Sequence, residues 1–187
     1  MPARSPRSPV REPADTLLPG LIEDLLARGL RVRLGVGGVS MAPRLCDHDR
    51  VLIESLHGKD ARFGDLVLFR NAGGALVLHR VVRRRRESRG RQRLQTRGDA
   101  CVRLDASIDA TRVLGRVRCI ERKDRGSIDL ETMGERLRAM AIGAGGLLRS
   151  ALYYKLRSRS HRGQSQATRG HPPAFDATEA QPRFQAR

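Results

Sequence analysis

The chain has 187 residues, a formal net charge of +17, 39% hydrophobic residues and only 3% aromatic ones. That length fits one domain with extensions better than two, with a modest core filled by Val, Leu, Ile and Ala. Three cysteines, Cys46, Cys101 and Cys119, show neither CxxC spacing nor clustered histidines, which excludes a disulfide framework and a zinc site as expectations.

In chain order, residues 1–15 are rich in Pro, Arg and Ser and read as a disordered extension. Asp15 or Thr16 then caps a predicted helix to about Ala27, with Leu17, Leu18, Leu21, Leu25 and Leu26 as its apolar stripe and Gly29 as its terminator. From Leu30 the period changes to two. LRVRLGV alternates apolar residues with arginines, and glycines follow it up to Ser40. DRVLIESL, GDLVLFR, ALVLHRVV, RQRLQTRG and TRVLGRVRCIE supply five further predicted strands, with Gly73 and Gly74 turning the chain before the third of these and an arginine-rich connection after it. Residues 16–128 therefore form one mainly β domain.

Residues 129–157 return to helical spacing, with Leu130, Met133, Leu137 and Met140 on one side of an amphipathic segment that Gly143, Gly145 and Gly146 weaken. This segment either packs on the sheet or lies on a membrane surface, the latter helped by Arg149, Tyr153, Tyr154, Lys155 and Arg157. Residues 158–187 lack a sustained apolar period and read as a flexible tail. No stretch reaches eighteen consecutive apolar residues, and residues 139–148 are too few to span a bilayer. With no secretory pattern at the amino terminus, a cytoplasmic location is expected, with peripheral contact at an anionic membrane left open. Four Phe, two Tyr and no Trp offer little stacking, so no specific nucleic acid is expected as a partner. Glycine-rich segments lack a phosphate-loop pattern, so no cofactor is expected either.

The chemistry sits in an ordered set: GGVSMAP, GDLVLF, VLHRVV and TRGDACVRLD. A serine hydroxyl is a poor nucleophile near neutrality and needs a base, which His79 supplies for Ser40. Asp105 or Asp99 then holds the imidazole in the useful tautomer, with Asp105 favoured for that role and Asp99 for organising the site. The backbone N–H of Ser40 is the candidate oxyanion donor, and Gly37 and Gly38 leave room for a substrate backbone.

Over about Leu34 to Val117, G-x-S-M-x-P at Gly38 to Pro43, then DHDRVLIE, GDLVLF, HRVV, RGDA and VLGRV in order, resemble the signal peptidase I and self-cleaving-repressor superfamily of serine proteases. The resemblance implies a compact signal-peptidase-like protease core, with Ser40 as nucleophile and Met41 and Gly38 at the substrate cleft. His79 stands where many members have lysine, so the chain looks like the histidine branch. DHD at residues 47–49 replaces the family's usual GD, and the stretch before Ser40 is too short for a helix-turn-helix. The expected activity is hydrolysis of a peptide bond in a protein or peptide precursor, signal peptides included. A noncatalytic peptide-binding protein and a basic nucleic-acid-binding module are the alternatives.

Overall fold

A computed structural model of the protein describes residues 13–122 and 126–162. Most of the extension expected over residues 1–15, and the tail beyond 162, lie outside the described residues.

The first helix, α1 (Pro13–Ala27), begins two residues before the expected cap. Proline suits a first helical position because the N–H it lacks would have no intrahelical acceptor there. Ile22 and Leu26 are buried, with Leu18 and Leu25 packed beside them, while Leu21 of the expected stripe faces solvent. Gly29 ends the helix at φ 76°: its N–H reaches the Leu26 carbonyl, and the Leu30 N–H reaches that of Leu25. These paired bonds satisfy carbonyls that a helix end otherwise leaves open.

The described strands are β1 (Val32–Gly35), β2 (Arg50–Ser55), β3 (Leu66–Arg70), β4 (Leu76–Arg86), β5 (Gln92–Arg97), β6 (Ile108–Asp109), β7 (Val113–Arg122) and β8 (Gly126–Asp129). They form one curled antiparallel sheet in the order β1-β2-β7-β3-β4-β5-β6, with β8 also paired to β7. The arginine run expected as a connection is strand instead. Arg83–Arg86 pair with Gln92–Gln95, so the β4–β5 hairpin continues past the core into solvent, where arginines cost nothing to expose. The short β6 and β8 were not foreseen.

Apolar residues cover both faces of β3 and the first part of β4. Leu66, Leu68, Leu76 and Leu78 belong to one cluster with α1, β2 and Met41; Val67, Phe69, Val77 and Val81 belong to another with Leu94, Ile108 and Val113. These strands therefore read as continuous apolar runs instead of an alternation.

The second helix, α2 (Met133–Arg162), is unbroken and runs five residues into the expected tail. Thr132 starts it, its hydroxyl accepting from the Glu135 N–H at 3.4 Å. Two of the three glycines expected to weaken it seat it against the domain: a Cβ on Gly143 would lie 2.8 Å from Phe63 Cζ, and one on Gly146 would collide with the Arg97 guanidinium, whereas Gly145 faces open space. Close packing thus outweighs the low helix propensity of glycine. The helix turns its small and polar side inward and leaves Met133, Leu137, Met140, Leu148 and Leu152 exposed. Among the described residues no helix is long and apolar enough to cross a membrane.

Gly115 of β7 is closely packed: a Cβ there would stand 2.5 Å from the Glu54 carbonyl oxygen and 2.8 Å from Ile53 Cγ2. Gly115→Ala is expected to lower the stability by about 1–3 kcal/mol through overpacking. Urea unfolding should show a lower midpoint at an unchanged slope.

Candidate active site

Ser40 lies in the turn after β1 and is 4% exposed, while His79 on β4 is 7% exposed. The turn is anchored from several sides. Gly38, at φ 91°, donates its N–H to Asp47 Oδ1 at 2.9 Å, so the acidic loop at residues 47–49 braces the residues before the serine. Beyond the serine, Ala42 N–H reaches the Val39 carbonyl and Leu45 N–H that of Met41. The Ser40 carbonyl accepts from the Ala100 N–H at 2.9 Å, tying the turn to the segment after β5. Gly98 makes that approach feasible, since a Cβ there would stand 2.6 Å from the Ser40 carbonyl oxygen and 3.1 Å from His79 Nε2.

Ser40, His79 and Asp105 form a hydrogen-bonded line. His79 Nδ1 is 2.7 Å from Asp105 Oδ2, and its Nε2 is 3.2 Å from Ser40 Oγ. With Nδ1–H donating to the carboxylate, Nε2 is the nitrogen left to accept the serine proton. Asp105 is itself held on β5. Its Oδ2 accepts from Thr96 Oγ1 at 2.7 Å, and its N–H donates to the Thr96 carbonyl at 3.0 Å. Phe69 meets the imidazole edge-on, with ring centroids 6.5 Å apart.

Asp99 is not part of this line. Both its oxygens take the Arg80 guanidinium, at 2.8 and 2.6 Å, and Arg80 also donates to the Gly64 carbonyl. Successive strand residues point to opposite faces, so His79 and Arg80 are served by different aspartates. Met41 is buried in the first core cluster. Among the described residues the Ser40 N–H makes no hydrogen bond, leaving it available as an oxyanion donor, whereas that of Gly38 is taken by Asp47.

Thr96 and Arg80 were missed as site residues in the sequence. Arg80 carried a usable signal, because a guanidinium inside an apolar strand needs a carboxylate partner. Thr96 carried none beyond its place two residues before Gly98. Cys101 Sγ also borders the site, 2.9 Å from where a Gly98 Cβ would stand. Burial, and then the Asp105 carboxylate, push its thiol above the ordinary range, which keeps it protonated and weakly nucleophilic. Among the described residues no three His, Cys, Asp or Glu side chains gather to hold a metal ion. No protein-family model, curated protein or solved structure matches the chain.

The two aspartates should separate in stability measurements. Asp99→Asn leaves the buried Arg80 charge without its partner and should cost about 3–5 kcal/mol. Asp105→Asn, at a partly exposed carboxylate, should cost about 1 kcal/mol. Denaturant unfolding of both variants tests the difference.

Proposed function

We propose that the protein is a serine endopeptidase of the signal-peptidase-like, histidine-using type, cleaving a peptide bond in a protein or peptide precursor. The observation that carries this proposal is the line from Ser40 Oγ through His79 to Asp105 Oδ2, buried at its serine end and clamped by Thr96 at its acidic end.

In this mechanism, Ser40 Oγ attacks the scissile carbonyl carbon as its proton passes to His79 Nε2. Asp105 stabilises the imidazolium that forms and keeps the ring in register. The Ser40 N–H faces the developing oxyanion. The tetrahedral intermediate then collapses: the C–N bond breaks, Nε2 returns the proton to the leaving amine, and an acyl-serine ester remains. Water, deprotonated by the same nitrogen, hydrolyses that ester and restores the serine. A 3.2 Å contact between Oγ and Nε2 is within the looser range of ligand-free sites.

The exposed apolar side of α2, together with the net charge of +17, supports work at the surface of an anionic membrane. Such a surface offers apolar depth to Met133, Leu137, Leu148 and Leu152 and negative charge to the arginines around them.

The purified protein and a folded Ser40→Ala variant should be compared on an unbiased peptide library, with and without anionic vesicles. Cleavage is expected only with Ser40 present, and Asp105→Asn should lower kcat by about a thousandfold or more. Equal cleavage by Ser40→Ala would overturn the nucleophile. Folded wild-type protein without cleavage in either condition would point to a peptide-binding role.

A further inference from the structure

Beside the site, the residues Arg44, Arg97, Arg122 and Arg149 line a cavity of about 480 Å3 in which Asp99 is the only carboxylate among the described residues. Its oxygens are already taken by Arg80. Arg44 pairs with Glu135, and Arg122 lies 3.7 Å from Asp49. Arg97 and Arg149 have no carboxylate partner among the described residues.

Arg97 is only 1% exposed. One of its terminal nitrogens donates to the Cys101 carbonyl at 2.6 Å, while its Nε has no hydrogen-bond partner among the described residues. Arg149 donates to the Asp99 carbonyl at 2.7 Å, again to a neutral acceptor. Burial, with Arg149 beside it, holds the Arg97 guanidinium below its ordinary range, and the Asp99 charge, already paired to Arg80, offsets this only in part. Neutral carbonyls do not offset the cost of enclosing a cation, and such groups are normally paired. The space is nonetheless built for this side chain, since α2 has no Cβ at Gly146 where the guanidinium lies. An oxyanion would supply the missing charge and acceptors together, in the planar geometry that guanidinium groups favour.

The cavity also lies close to the nucleophile along the chain. Pro43, on its wall, is three residues beyond Ser40, a span of at most about 11 Å. Asp99, also among its lining residues, precedes the residue whose N–H holds the Ser40 carbonyl.

We propose that this cavity is a carboxylate-binding subsite, in which Arg97 and Arg149 take an acidic side chain or the C-terminal carboxylate of the peptide presented to Ser40. The oxyanion site rests on the arginines; its assignment to a substrate rests on the protease reading.

The test uses the full chain and short Ala/Ser peptides carrying one Glu or one Gln at each position in turn, with free or amidated C-termini. Binding is read by fluorescence anisotropy on the Ser40→Ala protein, and cleavage on the active protein. Preference for the charged peptide by about tenfold is expected at one position or at the free C-terminus, which also distinguishes the two carboxylate sources. Arg149→Gln should bring that ratio near one, and Arg97→Gln should do so if its melting curve shows a folded protein. Arg85→Gln, which removes the same charge from the exposed hairpin, should leave the ratio unchanged. Cleavage without preference for Glu over Gln or for a free C-terminus overturns the subsite and leaves the protease intact. Charge-selective binding lost in Arg149→Gln, without any cleavage, keeps the subsite and overturns the protease. An equal loss in Arg85→Gln assigns the preference to the general basic surface and overturns the subsite.

Discussion

The two-residue period of β4 is the constraint on which the centre of this protein depends. His79 and Arg80 are neighbours in sequence, yet the strand sends their side chains to opposite faces of one sheet. His79 shares its face with Val77 and Phe69, while Arg80 lies across from Leu66 and beside Arg97. A shift of one residue in the pairing would exchange them and bring the guanidinium to Ser40. The apolar runs around the two residues, buried on both sides, fix the register against that exchange.

From that division follow two environments made by one short segment, Thr96 to Asp105. Thr96 and Gly98 serve the imidazole face, the first by holding Asp105 and the second by leaving room for the Ser40 carbonyl. Arg97 and Asp99 serve the other face, where charge is enclosed beneath α2. The candidate catalytic line joins a partly solvated carboxylate to an imidazole and a hydroxyl, whereas the opposite face carries an ion pair and a further guanidinium. Strand alternation turns Arg80 and Arg97 away from the imidazole, while the segment that carries Arg97 stays tied to Ser40 through the Ala100 N–H.

The strands around the site were legible because their apolar periods are long, and Gly29 was legible as a terminator because its neighbours have no competing turn chemistry. Ser40 and His79 stood out through the order of their motifs, but the choice between Asp99 and Asp105 did not. Both follow the same strand within a few residues, and only knowing which face of β4 each one reaches separates them. The hairpin extension through Arg86 was hidden because charge runs resemble loops, and β6 and β8 because two to four residues carry no measurable period. The inward side of α2 was hidden for another reason. Its contact residues are glycines, whose role is to be absent where a neighbour must fit.

Those glycines also determine how α2 can move. Gly143 receives Phe63 and Gly146 receives Arg97, one turn apart on the same side of the helix. Sliding by one residue would advance the helix about 1.5 Å and turn it by about 100°, bringing Ala144 and Leu147 toward positions now filled by a ring and a guanidinium. The two notches act as a detent against screw-like slippage. Against lifting, α2 is held by polar ties instead: Glu135 to Arg44, Arg149 to the Asp99 carbonyl and Ser150 to the Val102 carbonyl.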